Sequence, residues 1–398
     1  MDLFIPQGKS GAPAGNSLIY KNIRFTLITD RLLRVEYCRG AAFCDEPTQK
    51  VINRNLGKVD FTVSKRKNKI KIVTAKAQFE YDIFCKKMLS VTIAGGKAVT
   101  DFEKGNLLGT TRTLDLVNGS TKLEKGLIST EGVTVLDDSE SLILASNGTI
   151  ARRPSGQNDK YYFAYGHDYR GCIKALYGIS GEVPLVPRFC LGNWWSRYKA
   201  YSQQEYSDLM DRFKEERIPI SVATIDMDWH WTDVIKRFGK EDAAFRFAPL
   251  IPKTIQSFLP NHGWTGYSWN TELFPDYKGL LKKLHDDGYR VTLNIHPAQG
   301  VRPFEDVYPD TARAMGLNPA EKKHIPFDIT NPKYLEAYFK CVHEPYENDG
   351  VDFWWIDWQQ GKDTKIPGLD PLWALNHYHY LANGRTGKRP LILSRYCG

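Results

Sequence analysis

The spacing of apolar residues changes near residue 168, and this change limits the chain to two differently built halves. Up to about residue 150, apolar side chains recur at every second position in short runs: Phe61 and Val63, then Ile70 and Ile72, then Ala77, Phe79, Tyr81 and Ile83. Side chains alternate between the two faces of a strand, so such runs are half-buried strands. Asn118-Gly119 and Asn147-Gly148 punctuate them with residues suited to tight turns. Residues 1–182 are therefore expected to form an N-terminal antiparallel β-sandwich with a connecting helix.

That helix should start at Asp168, run from Tyr169 to Ile179 and stop at Gly181, with Pro184 and Pro187 marking the junction. Beyond it the helix signals are explicit. Ser202 with Glu205 forms a capping box for a helix to about Glu216, and Gly288 ends a helix that begins near Asp276. Asn331-Pro332 and Asp370-Pro371 each offer a cap followed by Pro at the first helical position. Between the helices lie apolar segments at 191–195, 221–226, 290–295, 351–356 and 390–394, expected as parallel strands buried on both faces. No Gly-x-Gly-x-x-Gly turn follows the first of them, so an eight-fold (β/α)8 TIM barrel is preferred to a nucleotide-binding doubly wound sheet. Residues 183–398, which also hold a long insertion from Trp229 to Pro275, have room for the first five strands only. The expected fold is a multidomain β + α/β chain with an incomplete barrel.

Bulk properties exclude several partners. At 398 residues the chain exceeds what one core usually organises. The formal charge is +8, but the densest basic run, Lys65, Arg66, Lys67, Lys69 and Lys71, alternates with apolar residues and reads as a solvated hairpin tip. No nucleic-acid partner is expected. Seven scattered cysteines without a Cys-x-x-Cys pair fit neither a disulfide framework nor a zinc cluster, which points to reduced thiols in the cytoplasm. The start Met-Asp-Leu-Phe-Ile-Pro lacks the basic region of a signal peptide, and no apolar run is long enough to span a membrane. The sequons at Asn118 and Asn147 are each followed by Gly and read as turns.

Barrel active sites are assembled at the carboxyl ends of strands, and four of the expected ends carry unusual chemistry. They read Asp226-Met227-Asp228-Trp229-His230, Asn294-Ile295-His296-Pro297, Trp355-Ile356-Asp357-Trp358 and Ser394-Arg395-Tyr396. On continuing strands Asp226 and Asp228 would share a face, as would Trp355 and Asp357. A carboxylate beside an indole suits glycoside cleavage, because the carboxylate can attack or stabilise an oxocarbenium-like centre while the ring supports the sugar. A cation such as Arg395 would keep that carboxylate ionised. Taken singly, an Asp after a strand is as often the cap of the next helix. Asp226, Asp228, His230 and His296 could instead approach a divalent ion, but two aspartates two apart do not complete a ligand set, so neither metal nor cofactor is expected. Trp194-Trp195, inside the first strand, reads as packing. His377 and His379, two apart on a helix, do not share a face.

The segment Gly350-Val351-Asp352-Phe353-Trp354-Trp355-Ile356-Asp357 resembles the nucleophile strand of glycoside hydrolase family 31, whose best-known members are α-glucosidases. The likeness extends over most of the chain. Asn106-Leu107-Leu108-Gly109-Thr110, Arg112-Thr113-Leu114-Asp115, Gly126-Leu127-Ile128-Ser129 and Val135-Leu136-Asp137-Asp138-Ser139 are similar to the family's N-terminal sandwich. Tyr165-Gly166-His167-Asp168-Tyr169 is similar to the segment entering its barrel. The resemblance implies that Asp357 is the nucleophile of a retaining α-glucosidase and that Trp355 lines the subsite of the cleaved sugar. It implies also that Asp226 and Arg395 hydrogen-bond that sugar. Asp228 joins the substrate-binding set beside Asp226, and His296 stands where many relatives carry Asp. Trp358-Gln359-Gln360 departs from the family's usual continuation after the nucleophile. The family's acid/base is an Asp downstream of the motif that contains Arg395, so it is expected outside these 398 residues. The expected partner is a carbohydrate carrying a terminal α-linked glucose. The alternative is a shortened paralogue that binds or scaffolds sugars without cleaving them, and unpaired strand edges in such a chain would favour a homo-oligomer.

Overall fold

The computed structural model describes residues 2–396 except positions 7, 41, 116, 155, 243–264, 358–360 and 362. Two units emerge, Asp2–Val183 and Pro184–Tyr396.

In the first unit, β1 (Ser17–Tyr20), β2 (Ile23–Thr29) and β3 (Leu32–Cys38) are followed by β4 (Phe61–Arg66), β5 (Lys69–Thr74), β6 (Ala77–Asp82), β7 (Lys87–Ile93) and β8 (Ala98–Val99). Short pairs β9 (Asn106–Leu107) with β10 (Ile128–Ser129) and β12 (Ile143–Leu144) with β13 (Ile150–Ala151) flank β11 (Val133–Asp137), and β14 (Gln157–Ala164) closes the series. One antiparallel sheet has the order β1-β2-β3-β14-β11 and the other β4-β5-β6-β7-β8. Alternation places Phe25, Leu27, Leu33 and Val35 of the first sheet and Ile70, Ile72, Phe79 and Tyr81 of the second in one buried apolar cluster, so the sheets face each other across a common core. The opposite face of the first sheet, with Leu32, Tyr161 and Phe163, is covered by the helix Tyr169–Ser180 through Cys172, Ala175 and Ile179. The basic run turns between β4 and β5, where Arg66 pairs with Lys69 and Lys67 has a positive φ of 53°.

In the second unit β15 (Trp194–Trp195), β16 (Val222–Ile225), β17 (Arg290–Ile295), β18 (Phe353–Ile356) and β19 (Ile392–Ser394) form one parallel sheet in sequence order. Helices connect them, and their caps are those the residues imply. Ser202 and Glu205 make a reciprocal capping box on Gln203–Glu215, Asp276 caps Tyr277–Asp286, and Asp370 caps Pro371–Asn383. Leu280, Leu281 and Leu284 of Tyr277–Asp286 are buried, as expected for a helix covering one face of a parallel sheet. Four strands are shorter than their apolar runs, β18 and β19 by two residues at their starts. Arg188–Leu191 winds into a 3-10 turn, which leaves β15 only two residues, and β16 stops at Ile225 because the Asp226 side chain accepts from the Met227 amide and starts the 3-10 turn Met227–Trp229. Among the described residues no helix is long and apolar enough to cross a membrane.

Candidate active site

Strand register decides which side chains converge. Thr224 lies opposite Thr292, Thr292 opposite Phe353, Asn294 opposite Trp355, and Trp355 opposite Leu393. Residues two apart share a face, so Asp226, Asn294, His296, Trp355, Asp357 and Arg395 continue the face of these paired positions at the carboxyl ends of four neighbouring strands.

Asp357 sits one residue beyond β18, and its amide donates to Ile295 O at 3.0 Å, which extends the ladder to the position where the side chain leaves the sheet. The Asn294 amide donates to Asp357 Oδ2 at 2.9 Å, His296 Nε2 lies 3.6 Å from the same oxygen, and Arg395 Nη1 lies 3.3 Å from Oδ1. Asp357 is only 7% exposed, with these polar groups around its carboxylate at the strand ends. Arg395 is 42% exposed at its side chain, and His296 is buried. Trp355 is half-buried, whereas its neighbour Trp354 is buried on the other face with its indole N–H donating to Glu347 Oε1 at 2.8 Å.

Asp226 is half-buried and accepts from Met227 N at 2.7 Å. Burial first, then the charges of Asp357 and Asp228, push its carboxyl above the ordinary aspartate range against the downward pull of that hydrogen bond. Asp226 therefore lies within the field of Asp357. Asp228 does not share a strand face with it, since both residues have left the sheet; Asp228 Oδ1 accepts from Thr232 Oγ1 at 3.4 Å within the same loop. The turn is pinned by Trp229, fully buried, whose indole N–H donates to Asn294 O at 2.7 Å.

Of two further residues here, Asn294 was quoted in the sequence only as part of a strand end, and Tyr198 was not singled out. Asn294 was visible as polar on a buried strand two positions before His296, and alternation alone put it on the same face. Tyr198, three residues past β15, is 60% exposed; burial, then Asp228 and Asp226, raise its phenol above the ordinary range, which brings the end of the first strand to the same place. Among the described residues, the other histidines and tryptophans singled out in the sequence pack. His230 is buried against Trp229, His379 Nε2 is 3.0 Å from Tyr338 Oη, His377 stacks on Trp373, and Trp194 donates to Cys190 O and meets Phe353 edge-on. Trp358-Gln359-Gln360 lies outside the described residues.

The assembly offers a buried carboxylate held by an amide, an imidazole and a guanidinium, a second carboxyl with a raised pKa, and two aromatic surfaces. It can hold a polyhydroxylated ring and present one oxygen nucleophile to it.

Comparison with known proteins adds the following. Residues 183–397 match the model of the Glycosyl hydrolases family 31 TIM-barrel domain. An α-xylosidase of Saccharolobus solfataricus is 24% identical over 291 residues, 68% of this chain and 35% of that protein. The α-xylosidase XylQ of Lactiplantibacillus pentosus is 26% identical over 212 residues, 51% of this chain and 24% of that protein. The chain thus spans about a third or less of these relatives. Among solved structures, a Flavobacterium johnsoniae GH31 dextranase complexed with glucose superposes with a TM-score of 0.62 at 15% identity, covering 96% of this chain and 52% of the dextranase. A GH31 α-xylosidase of Xanthomonas citri gives 0.60 at 12% identity, covering 95% and 63%. At such identities the superpositions speak to fold alone.

Proposed function

The chain belongs to glycoside hydrolase family 31, and on that premise we propose that it carries the nucleophile half of a retaining α-glycosidase site, with Asp357 as nucleophile. A terminal α-linked glucose, or xylose, which is the same ring without the C6 hydroxymethyl group, is the proposed substrate unit. The α-xylosidase names of the relatives weigh for xylose, and the resemblance to α-glucosidases for glucose. In the first step an Asp357 oxygen bonds to the anomeric carbon as the bond to the leaving oxygen breaks, giving a glycosyl ester; water then releases the sugar with its original configuration. The leaving oxygen needs a proton from a second carboxyl about 5 Å from the nucleophile. The family resemblance implies that this carboxyl lies downstream of the motif containing Arg395, and none of the residues named above is given the role. Arg395, at 3.3 Å, and the Asn294 amide, at 2.9 Å, hold the Asp357 carboxylate in one orientation. Asp226, with its raised pKa, is placed to exchange hydrogen bonds with ring hydroxyls, and Trp355 and Tyr198 to support apolar sugar faces.

One observation carries the reading: a carboxylate at the carboxyl end of a parallel strand has a guanidinium at 3.3 Å and an amide donor at 2.9 Å. The test is Asp357→Ala, made in a version of the protein that carries the acid/base, assayed on p-nitrophenyl α-glucoside and α-xyloside side by side. Turnover should vanish on both, and a 5-fluoro-glycosyl fluoride should leave its label on the wild-type peptide containing Asp357. Unchanged turnover, or label on another peptide, refutes the assignment. Sugar binding without turnover in a version of the protein that carries the acid/base would favour the binding paralogue.

A further inference from the structure

A cleft of about 860 Å³ opens within the first unit, and its chemistry departs from what its position in the fold should produce. The inward faces of β3, β14 and β11 start as ordinary core: Leu33 and Val35, Tyr162 and Ala164, Val133 and Val135. Continuing each strand by the two-residue step along the same face gives Tyr37, then Lys160 and Asn158, then Asp137. Register confirms that these lie side by side, with Lys160 opposite both Val35 and Asp137 and Asn158 opposite Tyr37. An inward row of this kind would carry an unaffordable desolvation cost if the second sheet covered it. That sheet stops here, at the hairpin between Asp82 of β6 and Lys87 of β7, and the inner face of the first sheet is left open.

The lining is mixed: half-buried Phe102, Leu127, Val135, Leu136 and Leu176 supply its apolar part, and the rim is basic. Phe102 meets Tyr162 edge-to-face at 5.6 Å. Five lysines line the cleft: Lys50, Lys86, Lys87, Lys125 and Lys160. Three carboxylates answer them, Asp101, Glu103 and Asp137, which leaves two positive charges in excess. Lys125 pairs with Glu103, and Lys160 with Asp137 at 3.4 Å. Lys86 spans the gap from the hairpin, donating to Tyr37 Oη at 2.6 Å with its ammonium 3.9 Å from the ring centroid. The volume lies in the range of about 300–1,000 Å³ usual for small-molecule sites, where apolar walls and a few convergent charges are the rule.

We infer that this cleft binds an anionic amphiphile, a molecule with an acidic head for the lysine rim and an apolar body for the space between the sheets. A neutral sugar would leave the excess charge unanswered, and a small inorganic anion would leave the apolar part of the lining wet. The site lies wholly in the first unit and does not depend on the glycosidase reading.

The test is calorimetric titration of the intact chain with three probes: decanoate below its micelle concentration, decyl maltoside with the same tail and a neutral head, and glucuronate with an acidic head and no tail. Decanoate should bind one per chain, at least tenfold tighter than either other probe, and weaken with added salt. The double variant Lys86→Gln/Lys160→Gln should weaken decanoate at least fivefold at an unchanged melting temperature. If that variant unfolds, Lys87→Gln, an exposed strand-end change, should still weaken binding two- to threefold. Decanoate binding no tighter than decyl maltoside or glucuronate, or indifferent to the lysine changes, overturns the proposal.

Discussion

Buried charge is handled in opposite ways in the two units. In the first, Arg34, 1% exposed, donates to Asp159 at 2.9 and 2.7 Å and lies 2.9 Å from Glu36, while Arg153 reaches Asp159 at 2.9 Å and Asp138 at 3.1 Å. Each carboxylate has a guanidinium against it. Burial alone would raise the Asp159 carboxyl, yet Arg34 and Arg153 bring it below its ordinary range. Glu36 and Asp138 stay raised, chiefly by burial. At the strand ends of the second unit, Asp226 has a backbone amide as donor and two carboxylates as electrostatic neighbours, and its pKa is raised. A closed ionic cluster of the first kind specifies a fold, whereas crowded carboxylates at a strand-end hollow store interaction capacity for something that is yet to bind.

The sharpest way to break this contrast is to exchange the roles. Asp357→Asn, made in a version of the protein that carries the acid/base, should cost about ten-thousandfold in turnover while the melting temperature barely moves, because the amide keeps the shape but neither attacks nor carries charge. Arg34→Met should do the reverse, destabilising the chain by about 3–5 kcal/mol in denaturant titration, since it strands buried carboxylates that had been paired. Glu305 tests an intermediate case. It is buried, accepts from Tyr267 N and Ser268 Oγ, and burial pushes its carboxyl up to about 7. A native pKa raised above the unfolded value means the native state binds the proton more tightly, so stability falls as pH rises from about 4.5 through 7, by on the order of 3 kcal/mol. Glu305→Gln should flatten that slope in melts recorded from pH 4 to 8. The smallest effect is expected at Asp226→Asn, by the same sign: the variant should melt higher than wild type at pH 7, match it well below pH 4, and, in the version that carries the acid/base, lose about tenfold in turnover. An Asp226→Asn chain that melts lower at pH 7 would mean that this carboxylate is structural after all.

Local signals were the most legible part of the sequence. Ser202, Asp276 and Asp370 cap helices where they stand because a cap needs only its own side chain and an amide two or three residues on. The convergence of Asp357, Arg395 and Asp226 was also readable, since strand ends gather in parallel folds. Asp228 does not share a strand face with Asp226, because alternation was carried past the point where Asp226 takes the Met227 amide and winds the chain into a 3-10 turn. The Arg34–Asp159 cluster was out of reach, its partners being 125 residues apart. The inward polar row of β14 was not singled out, because nothing local says where the facing sheet ends.

The indole of Trp229 donating to the carbonyl of Asn294 ties the turn behind Asp226 to the strand whose amide holds Asp357. The two walls of the hollow therefore share one hinge pin, and a change at either 229 or 294 would shift both at once. If the proposed site holds a sugar, changes aimed at its preference should begin instead at Tyr198, three residues past the first strand and apart from that pin.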